Sequence, residues 1–288
     1  MCKILHMILT FEPVYHRYND GKGISVSTLI KSYKDEFDKD FWLRWKAWEH
    51  ILYPGDSPEI SIEKFRALRK ELKYTFDMMQ NRSDILFARL AKTYPKLVQM
   101  VEEDIKESIQ EQWEKKNENS KVKGSAYHDY NERESLIRGY EINPFDGKSY
   151  PVIKPYSWKD GIKTQLVDLH NLEEGYYPEL ILNMRDIFGQ SDRVWVNSRK
   201  QVWIRDFKTN EKIKTENKFQ KMKPPLAHLD DCELNDYTIQ LSLYAYILED
   251  KGYEIMELGI DHFNTEITVP YMRKEVENLV LDYEMNNI

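Results

Sequence analysis

The chain has 288 residues, which is enough for one large domain or two small ones with a substantial core. Its 41% hydrophobic and 32% charged residues are ordinary for a soluble globular protein. The formal net charge of -7 argues against a generally basic nucleic-acid coat, so any polyanion site must be a local groove.

Cysteine usage and hydropathy bear on the compartment. Cys2 and Cys232 are the only cysteines, so a reducing compartment is expected and a disulfide scaffold is not. The apolar run at the start is too short and interrupted for a signal peptide, and no stretch approaches the roughly 18 apolar residues of a membrane span. A cytoplasmic protein that does not enter membranes is the expectation. The Lys- and Asn-rich composition also suits a phage-encoded protein acting in its host's cytoplasm.

The first part of the chain, residues 1–122, is predicted to hold a hairpin followed by helices. The hairpin turns at Asn19–Gly23, and helices follow from Ser27 to about Trp113. An aromatic stripe is favoured as core packing over a base-stacking platform, and consists of Phe41, Trp42, Trp45 and Trp48. The polar run Glu114–Gly124 is interpreted as a connector. The second part is then 123–288, with one compact unit expected overall.

The second part opens with a helix and a strand that carry candidate ligands. His128 lies on the predicted helix from about Ser125 to Arg138, with Glu132 one turn later on the same face. Glu179 lies on the predicted strand Tyr177–Phe188, after which Gly189-Gln190-Ser191 is predicted to turn the chain. Each residue by itself is equally compatible with a structural or solvated role.

A β-hairpin at Gly189–Lys208 is the centre of the predicted sheet. Two apolar triplets flank the polar turn Asn197–Lys200, and strand alternation places Val202, Ile204, Asp206 and Lys208 on one face. The hairpin would bring Asp192 back beside Asp206. Two carboxylates and an ammonium at one end of a sheet suit a divalent cation and a phosphate better than a core.

A long polar segment follows the hairpin, at 209–234. Its lysines are predicted to clamp a nucleic-acid backbone, although a solvated loop of mixed charge is the alternative; they are Lys212, Lys214, Lys218, Lys221 and Lys223. A helix is predicted at Tyr237–Asp250, with Gln240 and Tyr244 on one face, and then a strand at Tyr253–Phe263. The predicted fold is therefore α/β, with a small mixed sheet flanked by helices.

These motifs together resemble the PD-(D/E)XK nuclease superfamily. Asp192 and Asp206-x-Lys208 match its signature, Gly124-xxx-His128 and Gln240-xxx-Tyr244 resemble the helical motifs of its RecB-like exonuclease branch, and Glu179 resembles its strand acid. The segment Ile24–Ile30 is similar to one in mitochondrial genome maintenance exonucleases and stand-alone phage exonucleases. The resemblance covers about residues 24–264 and implies a restriction-endonuclease-like core.

The resemblance implies a metal site and roles for its residues. Mg²⁺ or Mn²⁺ is expected on Asp192, Asp206 and the Phe207 backbone carbonyl, with His128 and Glu179 at the site. Glu179 or His128 is also compatible with holding a second ion near the first, so one ion or two stays open. Lys208 would hold the attacking water or a phosphate oxygen, while Gln240 and Tyr244 would order Lys208 or bind phosphate. No iron–sulfur cluster is expected, because two cysteines are too few for four thiolates.

The implied function is a metal-dependent DNA exonuclease that favours single strands or ends, in replication, recombination or repair. A structure-specific or restriction-like endonuclease on the same site is an alternative. A non-catalytic nuclease-fold protein that binds DNA or a helicase is a third. DNA is the expected partner, with a helicase or single-strand-binding protein as a candidate protein partner. Cleavage polarity and DNA-versus-RNA preference stay open.

Overall fold

The computed structural model describes residues 9–12, 17–21, 23–72, 83–263 and 265–286. The helices are α1 (Val26–Ser32), α2 (Lys39–Leu52), α3 (Pro58–Glu71), α4 (Ser83–Thr93), α5 (Lys106–Arg138), α6 (Glu233–Asp250) and α7 (Arg273–Asn286). The strands are β1 (Thr10–Glu12), β2 (Arg17–Tyr18), β3 (Ile24–Ser25), β4 (Tyr140–Ile142), β5 (Ser149–Pro151), β6 (Tyr156–Lys159), β7 (Ile162–Gln165), β8 (Gly175–Met184), β9 (Ile187–Val196), β10 (Gln201–Lys208), β11 (Glu254–His262) and β12 (Thr265–Val269). Among the described residues, no helix combines the length and apolar character that crossing a bilayer requires.

The chain divides into two compact units. One comprises Met1–Asp35 with Val122–Ile288, and the other comprises Glu36–Lys121. The second boundary lies within a residue of the predicted one, but residues 1–35 belong with the C-terminal part instead of the helical part. In that first segment β3 pairs with β9, which explains the grouping. Part of the predicted N-terminal hairpin, including Val14 and Tyr15, lies outside the described residues.

The unit at Glu36–Lys121 is helical and has its own core. Helix α2 begins at an N-cap, Asp38, whose side chain accepts from the Phe41 amide at 2.9 Å. The aromatic face of α2 is buried: Phe41, Trp45 and Trp48 pack with Phe65 of α3. These side chains are therefore core residues, as the spacing indicated.

The larger unit is built on a mixed sheet with the predicted hairpin at its centre, so the α/β class is confirmed. Its strands lie in the order β12-β11-β10-β9, with β8 and β3 also pairing with β9. Strands β9 and β10 are antiparallel, with Trp203 opposite Trp195, whereas β10 and β11 are parallel. Two smaller sheets, β2-β1-β7-β6 and β4-β5, belong to the same unit.

The two faces of the hairpin enter different cores, as the alternation predicted. Val202 and Ile204 lie in the large cluster that also contains Leu241 and Ile247 of α6. Trp203, on the opposite face, packs in a smaller aromatic cluster with Trp195, Tyr150 and Tyr176. The sheet is therefore covered on both faces, and α6 lies against the face that carries the even-numbered residues of β10.

Two predicted loops are wrong. The polar run Glu114–Gly124 is part of the continuous 33-residue helix α5. Polarity misled the prediction: Lys, Glu and Asn are tolerated on an exposed helix, and the run contains no proline. Gly189–Ser191 is not a turn but the interior of β9, and the chain reverses instead at Arg185 and Asp186, where Arg185 has a φ of 55°.

Candidate metal and phosphate site

Register brings three carboxylates into one row across the sheet. The pairs Pro178–Arg193 and Leu180–Ser191 place Glu179 of β8 opposite Asp192 of β9. The pair Arg205–Arg193 ends the β9–β10 ladder, so the next residue, Asp206, faces Asp192 from the other side. Neighbouring residues in such a row project to the same face. The sheet therefore aligns the three acids that the sequence singled out.

The strands separate beside Asp192, and this opens the site. Strand β10 pairs with β9 only as far as Arg193, after which the amide of Phe207 donates to Asp192 Oδ2 at 2.7 Å. Nearby, a Cβ on Gly189 would lie 2.3 Å from the Tyr244 ring, so only glycine admits the ring there. The Asp192 carboxylate thus accepts the hydrogen bond that a main-chain carbonyl would accept in a continuous ladder. Gly189 leaves room for the Tyr244 ring of α6.

His128 joins two of the acids. Its Nδ1 lies 3.2 Å from Asp192 Oδ1 and 3.7 Å from Glu179 Oε1. One ligand atom from each of the three residues lies within 4.8 Å of the others, which could hold a metal ion. Gly124, one turn before His128, faces Thr209 with a prospective Cβ contact of 3.4 Å, so the helix backbone lies close to the end of β10.

Asp206 is paired differently. It forms an ion pair with Lys208, and Asp206 Oδ2 makes no well-aligned hydrogen bond although the residue is only 3% exposed. Among the described residues, it lies outside the metal-competent group of His128, Glu179 and Asp192. The prediction that Asp192 and Asp206 share an ion therefore rests on their adjacency in the row and not on convergent oxygens. The Phe207 carbonyl stays a predicted ligand.

The helical motif Gln240-xxx-Tyr244 meets Lys208. The Lys208 ammonium donates to Gln240 Oε1 at 3.3 Å, and Gln240 Nε2 donates to the Tyr244 hydroxyl at 2.8 Å. Tyr237, one turn earlier, presents its ring 4.4 Å from the same ammonium. Helix α6 thus orients the lysine from two turns, and the contribution of Tyr237 was not predicted.

Charge compensation in the site shifts several pKa values. Burial and the Asp206 charge raise the pKa of Asp192 to about 7. Burial alone would lower the pKa of His128, but Asp192 and Glu179 raise it to about 11. Burial likewise opposes the charged form of Lys208, yet Asp206 and Asp192 raise its pKa. The protein's own cations therefore neutralise the acids in this arrangement.

Glu179 is held by partners that the sequence did not indicate. Lys163 of β7 is 5% exposed, and its ammonium lies 3.5 Å from Glu179 Oε2. Gln190 donates to the same oxygen. Glu179 also has a φ of 54°, a conformation that a non-glycine residue adopts only at some cost. A single inward lysine on a short strand gives no recognisable sequence signal, because its partner is brought by the fold.

The donor set fits a hard divalent cation with some nitrogen preference. Carboxylate oxygens suit Mg²⁺ and Mn²⁺, and one imidazole nitrogen favours Mn²⁺. Asp206 Oδ2, which the Lys208 ammonium contacts, is a further buried oxygen in the same row. The residues present are therefore compatible with the expected metal.

Three of the five lysines in the polar segment 209–234 form ion pairs with nearby carboxylates. Lys218 lies 3.3 Å from Glu216, Lys223 lies 3.8 Å from Asp35, and Lys221 pairs with Asp230. Lys212 and Lys214 are exposed and make no ion pair within the described part of the chain. All five lysines are exposed, and Lys212 and Lys214 are the two whose charge no carboxylate of the described residues neutralises.

No family model, curated protein or solved structure matches this chain. Function is therefore argued from the site.

Proposed function

We propose that the chain is a metal-dependent DNA exonuclease of the PD-(D/E)XK type, favouring single strands or ends and serving replication, recombination or repair. The observation that carries the proposal is the convergence of His128, Glu179 and Asp192 beside the Asp206–Lys208 pair. An imidazole, three carboxylates and an ammonium gathered at one end of the sheet suit phosphodiester hydrolysis.

The order of elements supports the proposal. Helix α5, the strands β8, β9 and β10, helix α6 and the parallel strand β11 come in the order that the resemblance implies for the nuclease core, with β4 to β7 inserted between α5 and β8. The candidate residues fall on the elements expected of them: His128 on the first helix, the acids on the strands, and Gln240 on the second helix. The agreement brings together His128 and Asp192, which are 64 positions apart in the chain, and this supports the proposal.

Each residue has a chemical role in the proposed reaction. A Mg²⁺ or Mn²⁺ ion held by Asp192, Asp206, Glu179 and His128 would neutralise phosphate charge and supply a hydroxide near neutral pH. Lys208 holds the attacking water or a non-bridging phosphate oxygen as a compact positive charge. Gln240 orients the Lys208 ammonium, and Tyr244 in turn holds the amide of Gln240.

End-labelled single- and double-stranded DNA, incubated with Mg²⁺, Mn²⁺ or EDTA, tests the proposal. We expect cleavage with either metal, loss of cleavage in EDTA, and faster cutting of single strands. Circular single-stranded DNA of the same sequence is the control, because an exonuclease needs an end. Cutting of the circle would instead favour the endonuclease. Binding without cleavage under any metal condition would favour the non-catalytic protein.

Reversing the charges of Lys212 and Lys214 to Glu tests the polar segment. We expect weaker binding of single-stranded DNA. The slope of log K against the logarithm of the salt concentration should become less negative by about 1.4, which is roughly 0.7 for each lost phosphate contact. The measurement is a fluorescence-anisotropy titration at several salt concentrations. The matched control reverses Lys31 and Lys274, which are also exposed. Affinity that stays at the wild-type value at low salt would remove the segment from the binding surface.

A further inference from the structure

Phe207 contacts His128 and also borders a cleft beside the proposed metal site. Its ring meets the His128 imidazole edge-on at 5.7 Å, and it also lines a cleft of about 290 Å³ between α5 and the ends of β9, β10 and β11. That volume is near the lower end of about 300–1,000 Å³ for small-molecule sites. The cleft therefore has room for one ring system, and the Phe207 ring connects it to the His128 side of the proposed metal site.

The charges that border the cleft do not favour an anion. Two arginines and three carboxylates line it, which gives a formal charge of -1. Arg193 lies 2.7 Å from Asp261 and 3.1 Å from Glu141, so its positive charge is already neutralised. A phosphate would gain little there. The occupant that suits this lining is uncharged and offers polar edges.

Aromatic rings supply the apolar surface of the cleft. Tyr127 packs edge-on against Phe207 at 5.4 Å, and Phe263 lines the cleft just after β11. Phe263 is 54% exposed and has a φ of 52°. The phenyl ring packs on the His262 ring at 4.8 Å between centroids, and its exposed surface stays available to an occupant of the cleft. Stacking of a planar base on an aromatic side chain is a common way to hold single-stranded nucleic acid.

A polar side chain of the cleft completes the match to a base. Asn131 uses its amide nitrogen to donate to the Tyr127 carbonyl at 2.7 Å. Its side-chain oxygen is then the atom that can accept from a ring N–H or an exocyclic amine.

We propose that this cleft, the base cleft, binds a nucleobase of the nucleotide adjoining the phosphate at the His128 cluster, with Phe263 as its stacking surface. The inference rests on the proposed nuclease function and adds a base contact to it. The contact is with the face of the base, so it depends on the presence of a base more than on its identity.

The test uses single-stranded oligonucleotides that each carry one abasic site, moved one nucleotide at a time from the cleaved link. First-cut rates give kcat/KM for the full-length wild type, Phe263→Ala and Phe263→Leu. Phe37→Ala is the matched control, because Phe37 is 65% exposed and lies outside the unit that holds the cleft. The leucine variant keeps apolar surface, so it remains informative if the alanine variant unfolds.

We expect one position at which loss of the base lowers wild-type kcat/KM by about tenfold, within the range of one stacking contact. Both Phe263 variants should lose that position dependence, as coupled sites do in a double-mutant cycle, while Phe37→Ala keeps it. If wild-type kcat/KM does not depend on the position of the abasic site, or if the Phe263 variants keep that dependence, the base cleft is refuted while the nuclease proposal stands. A wild type that leaves intact oligonucleotides uncut refutes the nuclease proposal itself.

Discussion

The Asp206→Asn variant is expected to lose metal-dependent DNA cleavage by about a thousandfold, the upper range for removing one preorganised charge from a reaction site. Asp206 is buried, pairs with Lys208 and faces Asp192 across the strands. Asparagine keeps the shape but removes the negative charge that a divalent ion requires. Mn²⁺ binding, measured by calorimetry, should weaken in parallel with the first-cut rate.

The fold should survive this change. The asparagine oxygen can still accept from Lys208, and the repulsion that helps raise the pKa of the buried Asp192 disappears. Asp250→Asn is the matched control, because Asp250 lies at the end of α6 with an exposed side chain paired to Lys251. Thermal unfolding followed by circular dichroism verifies folding. Cleavage at the wild-type rate by Asp206→Asn would mean that the site has been placed wrongly.

The Lys208→Met variant is expected to lower kcat by about a hundredfold without weakening Mn²⁺ binding. The Lys208 ammonium lies beside Asp206 and donates to Gln240 Oε1 at 3.3 Å, which orients it. Its loss would remove a positive charge from beside the reacting phosphate or water. A positive charge repels a metal ion. Its removal should therefore leave the Mn²⁺ dissociation constant unchanged or lower, unlike the change at Asp206.

Lys208→Arg should not restore the rate. Its planar guanidinium spreads the charge and requires a different set of acceptors from the compact ammonium that contacts Gln240 and the Tyr237 ring. Lys274→Met, on the exposed surface of α7, serves as the control. Single-turnover rates and calorimetry with Mn²⁺ provide the two measurements. Weakened metal binding with an unchanged single-turnover rate would contradict the assigned role.

Local patterns predicted the elements that carry the site. The alternation around Asn197–Lys200 specified the hairpin, because residues two apart on a strand enter the same core and the polar cluster can only turn. Helix α6 was equally readable from its apolar spacing, although it begins at Glu233, earlier than predicted. The Asp206-x-Lys208 spacing then placed both side chains on one face.

Local patterns failed where a residue serves a distant partner. Gly189 resembles a turn residue, but its lack of a side chain admits the Tyr244 ring, which lies 55 positions further along the chain. The polar run in α5 resembles a linker, yet it is helical because no residue in it breaks the backbone pattern. Lys163 was overlooked because only burial beside Glu179 makes it unusual.

The sequence by itself determined which chemical groups are available and which of them share a strand or helix face. Only the tertiary structure decided how they pair: His128 with Asp192 and Glu179, Lys208 with Asp206, and Phe263 with the cleft behind Phe207. The physical reason is that the residue spacing within one helix or strand fixes the face on which each side chain lies. The distance between charges on different elements depends instead on strand register and helix packing. Those distances set which carboxylate each cation neutralises.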